Sequence, residues 1–229
     1  MDLGSHAARI GALAESTRRR LYEYVVSQPG AVGREQAARE LDLAPHTVNF
    51  HLDRLAEEGL LDVEFRRLTE RTGPGSGRPA KLYRRTDREV SVSLPPRRYD
   101  LVGDVLAAAV TRAMSGDPLA TSVVEAAHEA GRAAGSTARP EGGAAEATLE
   151  DLARALTGLG YEPRDEDGAM VLANCPYHAL AQEHTELVCG LNQHFVQGVA
   201  DGVGCGGACA CLEPQEGRCC VVVRSERQR

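Results

Sequence analysis

Residues 43–85 read LAPHTVNFHLDRLAEEGLLDVEFRRLTERTGPGSGRPAKLYRR and decide the fold of the first third of the chain. Apolar residues recur at helical spacing over residues 46–58, and Gly59 follows them as a helix stop signal. Residues 63–65 read as a strand, and the run GPGSG at 73–77 suits neither a helix nor a regular strand. Basic residues flank that run, and residues 82–84 form the expected returning strand. The stretch predicts a helix followed by a basic hairpin with a glycine-rich tip.

Two more helices are expected before this stretch. Residues 7–28 carry a helical apolar pattern that ends at Pro29-Gly30, and residues 34–41 form a shorter helix. A short turn at 42–45 separates the latter from the helix at 46–58. The order of helix, turn, helix and basic hairpin is that of a winged helix-turn-helix, with residues 1–90 as its domain.

The candidate DNA contacts lie on the second helix of that motif and on the hairpin. In such motifs the second helix enters the major groove, and basic hairpin residues meet phosphates. Phe50 is left open, since it could pack inside or touch a thymine methyl group. The candidates are His46, Thr47, Asn49, His51 and Arg54 on the helix, with Arg71, Arg78 and Lys81 on the hairpin.

Charge and composition agree with this interpretation. The net charge of the chain is −7, but residues 1–90 carry +1 and residues 91–229 carry −8. An acidic total does not exclude DNA binding, because phosphate contacts depend on the local surface. The sequence shows no secretion signal and no apolar run long enough to span a bilayer, so we expect a cytoplasmic protein with reduced thiols and no membrane partner.

Residues 91–145 are expected to be a linker followed by two alanine-rich helices at 99–114 and 119–134. These helices could complete the core of the winged domain. The favoured interpretation is a homodimer interface, because small side chains let helices approach closely and two-fold symmetric regulators bind palindromic operators in double-stranded DNA.

Residues 146–229 predict a small α+β domain, in the order helix, strand, strand, helix, strand, strand. All seven cysteines of the protein lie here, between Cys175 and Cys220. Without a secretion signal, such clustering indicates thiolates gathered for a metal or cluster rather than disulfides. The complete chain is therefore expected to be α+β, with a winged domain, middle helices and a cysteine-rich sensor domain.

The spacing of two cysteines sets a constraint. Cys175 precedes a helix expected at 177–199, where the helix N-terminus favours a thiolate. Cys189 lies fourteen residues further on, which is about 21 Å along a straight helix. Both can serve one site only if the helix breaks, for which residues 183–185 are suited, or if subunits share the site.

The remaining cysteines are expected on the last two strands and the loop before them. Cys219 and Cys220 lie on a strand predicted at 219–223 and should point to opposite faces. Cys209 and Cys211 share one face of the strand at 208–212, where burial as small apolar residues is an equal alternative to ligation. Cys205 lies in a glycine-rich loop.

These motifs resemble the SufR-like branch of the bacterial ArsR-type regulators, which are iron–sulfur-binding repressors. Four motifs carry the resemblance: GSGRPAKLY after the first wing strand, CPYH, VCGLN and GRCCV. It implies a repressor of an iron–sulfur assembly operon that senses iron or redox state. It also implies that Cys175, Cys189 and one of Cys219 and Cys220 hold an iron–sulfur cluster, [4Fe–4S] rather than [2Fe–2S], with the other of the pair, Cys205 or a histidine as fourth ligand.

Two alternatives remain open. One is a zinc-binding or thiol-oxidising regulator without a cluster, in which His178 could join a Cys/His zinc site. His184 and His194 are expected to be surface or packing residues. The other alternative, an enzyme, is disfavoured, because the chain lacks a C-x-x-C motif and no catalytic arrangement stands out.

Overall fold

The computed structural model describes residues 3–67, 79–139 and 147–225. The chain divides into two compact units, Met1–Val92 and Ser93–Arg229. The first boundary lies close to the expected end of the winged domain at residue 90. The middle helices expected within 91–145 share one hydrophobic core with the cysteine-rich region.

The described residues of the first unit form four helices and a three-stranded antiparallel sheet in the order β1-β3-β2. Leu21 of α2 and Leu52 and Leu55 of α4 are fully buried in its core. The elements are α1 Leu3–Ala12, α2 Ser16–Ser27, β1 Val32–Gly33, α3 Arg34–Leu41, α4 Pro45–Glu57, β2 Leu61–Arg66 and β3 Ala80–Arg85.

The single helix predicted over residues 7–28 is wrong, because the structure has two helices there. Glu15 adopts an extended backbone and caps α2, with its carboxylate accepting hydrogen bonds from the backbone N–H of Thr17 at 2.9 Å and Arg18 at 2.7 Å. Continuous apolar spacing concealed this break. Strand β1 was also missed, since two residues carry no periodic pattern; it pairs Val32 with Tyr83 of β3.

In the second unit, residues 93–139 and 147–225 form five helices packed with a four-stranded antiparallel sheet in the order β4-β5-β7-β6. One face of the sheet joins the helices in a single core that includes Leu172, Phe195 and Val223. The elements are α5 Tyr99–Met114, α6 Leu119–Ala138, α7 Leu149–Gly158, β4 Pro163–Glu166, β5 Ala169–Leu172, α8 His178–Glu183, α9 Thr185–Val203, β6 Ala208–Leu212 and β7 Val221–Ser225.

The helix predicted over 177–199 is broken, as the cysteine spacing required. Helix α8 ends at Glu183, and α9 begins at Thr185. His184 lies between them with φ −130° and ψ 52°, outside the helical region. The prediction of a break at residues 183–185 is confirmed. The spacing expected along one straight helix therefore does not apply to Cys175 and Cys189.

The strand predicted at 219–223 begins later than expected. Strand β7 starts at Val221, so Cys219 and Cys220 precede it. The prediction that they lie on this strand, with side chains on opposite faces, is wrong. Isolated backbone hydrogen bonds hold them instead, from Cys219 N to Leu172 O at 2.9 Å and from Glu213 N to Cys220 O at 2.7 Å. Cys219 is buried, and Cys220 is half-buried.

Helices α6 and α9 touch through their backbones, at two glycines on each helix. A Cβ atom added at Gly131 would lie 2.1 Å from Phe195 O, and one at Gly198 would lie 2.1 Å from His128 O. Gly135 and Gly202 repeat this contact one turn further along, with gaps of 2.3 Å. The small residues of α6, which favoured a dimer interface in the sequence, therefore pack within the chain.

The glycine contact predicts a large effect for Gly198→Ala. A methyl group has no room beside the carbonyl oxygen of His128, so α6 and α9 must separate, and the free energy of unfolding should fall by about 3 kcal/mol. Urea denaturation followed by circular dichroism would measure it. Gly190→Ala on the same helix meets nothing within 4 Å. This control should be neutral or stabilising, and equal losses in both variants would contradict the prediction.

Candidate DNA interface and cysteine cluster

Helix α4 separates a buried face from an accessible face. Val48, Leu52 and Leu55 are fully buried, and Pro45 begins the helix at a position where a missing N–H costs nothing. His46, Phe50 and Arg54 are exposed, while Thr47 and Asn49 are half-buried. Phe50 is 65% exposed, so it does not pack inside. The accessible face combines hydrogen-bonding groups with an apolar ring that suits a thymine methyl group.

His51 lies differently from the other candidates. Its side chain is only 12% exposed, and its Nδ1 lies 3.5 Å from a carboxylate oxygen of Glu15 and 3.4 Å from Nε of Arg18. The ring therefore bridges α4 to the start of α2. Its DNA contact stays a prediction, but the observed contacts are between helices.

One carboxylate ties the helix-turn-helix to the wing. Asp53 on α4 accepts hydrogen bonds from Arg34 of α3 at 2.6 and 2.7 Å, and from Lys81 and the hydroxyl of Tyr83 on β3 at 2.6 Å each. Lys81, a candidate phosphate contact, is thus held by Asp53. Sequence reasoning missed this network; a single aspartate among the polar residues of α4 gave little signal.

The network determines the charge of Asp53. Burial alone would raise its pKa, but hydrogen bonds from Lys81, Tyr83 and Arg34 outweigh burial and lower the pKa from 3.8 to about 2. Tyr83 responds in the opposite sense: burial and its hydrogen bond to Asp53 raise its pKa. The aspartate stays charged and the tyrosine neutral, which keeps α3, α4 and β3 connected at all ordinary pH values.

The wing strands present further basic side chains. Arg66 ends β2 and Arg67 follows it, while Arg84 and Arg85 end β3; all four are exposed. Phe65 beside them is 67% exposed. The candidates Arg71 and Arg78 lie outside the described residues.

The four cysteines proposed as ligands come together in the second unit through pairwise contacts. The side chains of Cys175 and Cys219, of Cys219 and Cys220, and of Cys220 and Cys189 lie close enough to interact in pairs. Cys175 lies in the loop before α8, Cys189 near the start of α9, and Cys219 and Cys220 in the loop before β7. We call these four residues the thiol chain. Within the described residues, no three His, Cys, Asp or Glu side chains converge closely enough to hold a metal ion.

Neighbouring side chains hold the thiol chain in position. Asn192, one turn after Cys189 on α9, donates from Nδ2 to Sγ of Cys219 at 3.2 Å. Its Oδ1 accepts a hydrogen bond from the buried hydroxyl of Tyr161 at 2.5 Å. Asn192 is 1% exposed. A buried amide satisfied on both sides fixes one orientation, so Cys219 is placed by α9 as well as by its own loop.

Cys175 and Cys219 both favour the protonated thiol. A hydrogen bond to Cys219 and then burial raise the pKa of Cys175, outweighing the opposing effects of the Tyr177 N–H and Arg97. For Cys219, the hydrogen bond from Cys175 lowers the pKa, but Cys220 and burial prevail and raise it to about 11. As expected, an N–H at the start of the helix lowers the pKa of Cys175, but in the chain by itself the interaction with Cys219 and burial outweigh this effect.

The segment that enters the second unit is hydrogen-bonded to the Cys175 loop. Arg97 donates from Nη1 to Oδ1 of Asn174 at 2.6 Å and to the carbonyl of Cys175 at 3.1 Å. Asn174 donates in turn to Pro96 O at 3.0 Å and to Gly160 O at 2.6 Å. Pro96 and Arg97, in the segment 93–98, are therefore hydrogen-bonded to this loop.

The weaker candidates lie elsewhere. Cys205 is buried in the main core of the unit. His178 and His184 are exposed, and His194 is half-buried. Cys209 and Cys211 share one face of β6, as predicted, and contact each other.

Comparison with known proteins gives one match. Residues 13–64 match the model of a family described as a helix-turn-helix domain. The first unit carries a winged helix-turn-helix, and the protein is a DNA-binding transcriptional regulator. The match covers α2 to β2 and none of the second unit. No curated protein and no solved structure matches the chain.

Among the helices of the described residues, none is both long enough and apolar enough to cross a bilayer.

The Asp53 network predicts a pH-dependent loss of stability. Because the folded pKa of Asp53 lies below its ordinary value, its contribution is complete above about pH 4 and disappears as the pH falls towards 2. After allowing for solvent screening, Asp53→Asn should cost about 1–2 kcal/mol at neutral pH and much less near pH 2. Urea denaturation across this range measures it. Asp62→Asn, whose carboxylate pairs with exposed Arg84 at 3.2 Å, is the control, and an identical profile for both variants would contradict the assignment.

Proposed function

We propose that the protein is a repressor of the SufR-like branch of ArsR-type regulators and controls an iron–sulfur assembly operon. The observation that carries this proposal is a thiol chain hydrogen-bonded through its first loop to the segment that leads from the DNA-binding unit. A repressor that binds operator DNA and uses reduced thiols would act in the cytoplasm. In this proposal the protein regulates transcription and is not an enzyme.

The donor set suits an iron–sulfur cluster. Cys175, Cys189, Cys219 and Cys220 supply four soft thiolates, the preferred ligands of [4Fe–4S] and [2Fe–2S] clusters. The break at His184 lets the first two approach the same region. A bound cluster would supply a centre sensitive to iron supply and oxidants.

The residues of the chain would couple this centre to DNA. Ligation requires the four thiols to lose their protons and to turn towards a common point. Movement of Cys175 would move its carbonyl and Asn174, and both are bonded to Arg97. The segment 93–98 would then change the placement of the preceding DNA-binding unit, so the affinity for DNA would depend on the state of the thiols.

The test combines metal analysis with DNA binding. Protein purified without oxygen should contain iron and sulfide, bind the promoter region of its own gene in a gel-shift assay, and change its affinity when the iron is removed. Cys175→Ser and Cys189→Ser should lose the iron, whereas Cys205→Ser should keep it. Arg97→Met should keep the iron but weaken the response, while its neighbour Arg98, which pairs with Asp100 at 3.0 Å, serves as the control when changed to Met.

The outcomes separate the parts of the proposal. Stoichiometric zinc without sulfide, lost in the Cys175→Ser protein, would replace the cluster by the zinc alternative. A thiol-oxidising regulator would respond to oxidant with no metal bound. No binding to DNA in any state would overturn the assignment as a repressor of its own operon. An unchanged response in Arg97→Met would reject the coupling through the linker.

The proposal includes a homodimer that binds a palindromic operator, because paired recognition helices read two half-sites. An apolar groove of about 620 Å³ lies on the second unit, between α5, α6 and α9. Leu119 at its rim is 55% exposed, and Leu187 is 47% exposed. These apolar side chains are left accessible by the chain itself, and a second copy of the chain is the occupant we propose.

Leu187→Glu should weaken the dimer by placing a charge in this groove. Sedimentation velocity over a range of concentrations should show a dimer for the unchanged protein and a larger fraction of monomer for the variant. Leu212→Glu, at a leucine that is 43% exposed on β6, should leave the dimer intact. Equal dimer fractions in all three proteins would show that the groove is not the interface.

A further inference from the structure

Cys209 and Cys211 form a thiol pair outside the thiol chain. Strand β6 lies at the edge of its sheet, where Ala208 and Ala210 face the core and the two cysteines face the other side. Their Sγ atoms lie 3.7 Å apart. Both side chains are half-buried, so they remain accessible to small solutes. Cys219 lies in the core on the opposite side of the sheet.

The distance suits metal chelation better than a disulfide. Two sulfur ligands about 2.3 Å from a tetrahedral ion lie about 3.8 Å apart. Positions i and i+2 of a strand are separated by about 6.6 Å along the backbone, whereas a disulfide needs its Cβ atoms within about 4.5 Å. Oxidation would therefore bend β6 away from its partner β7, and ligation of one ion needs no such change.

An arginine borders the pair. Arg224 of β7 stands opposite Cys209 in the strand register. Its charge also acts on Cys211. The guanidinium is held in place by two hydrogen bonds to Glu213, at 2.6 and 2.7 Å.

We propose that Cys209 and Cys211 chelate one soft divalent metal ion of the zinc or cadmium class, independently of the thiol chain. Each thiol loses its proton to solvent on binding, so two protons leave as the dication enters. Solvent or a small anion completes the coordination, since the site is accessible on the outer face of the sheet. Soft thiolates select such ions over magnesium or calcium.

Cadmium is the probe for this site. Equilibrium dialysis of the full chain without oxygen, in a thiol-free reductant, should show one more bound cadmium ion in the unchanged protein than in the Cys209→Ser/Cys211→Ser protein. Each single serine variant should also lose that ion, because one thiol does not chelate. Leu212→Ser, on the same strand, should keep it. The difference between variants is independent of what the thiol chain holds, so it stands apart from the proposed function.

A second measurement uses the unchanged protein and does not depend on how the variants fold. Cadmium should slow alkylation of Cys209 and Cys211 together by more than about tenfold, because a metal-bound thiolate is not free to react. Peptide mapping by mass spectrometry identifies the two sites. Equal cadmium stoichiometry in all variants, or alkylation of this pair at an unchanged rate, would overturn the proposal.

Discussion

The backbone contact between α6 and α9 is the constraint on which the second unit depends. Glycines on both helices let carbonyl oxygens approach positions where any Cβ atom would clash. Because α9 is held this closely, its side chains occupy fixed positions relative to the sheet. Cys189 and Asn192 lie on that helix, and Asn192 bonds directly to Cys219. The contact between α6 and α9, which is made at glycines, therefore helps to set the positions of Cys189 and Cys219.

In the first unit, one carboxylate connects three elements. Asp53 bonds to Arg34, Lys81 and Tyr83, and so ties α3 and α4 to the wing. The consequence for DNA binding is geometric. A recognition helix and a wing must keep a constant separation to meet the groove and the backbone of the same duplex, and charge-assisted hydrogen bonds supply that stiffness.

The segment 93–98 gives the proposed regulation a physical route. Arg97 contacts both Asn174 and the carbonyl of Cys175, so the first thiol of the chain and the entry to the unit share hydrogen bonds. A change in the thiols can reach this segment without rearranging the core.

The sequence by itself determined the winged helix-turn-helix, most helix and strand positions, and the need for a break near His184, because periodicity, glycine signals and the rise of a helix are local properties. It missed the cap at Glu15 and the short strand β1, where the local pattern is continuous or too brief. Only the tertiary structure decided that Asp53 holds Lys81, that His51 faces α2, and that the glycines of α6 meet α9. These are contacts between residues far apart in the chain, and they depend on packing that no local pattern records.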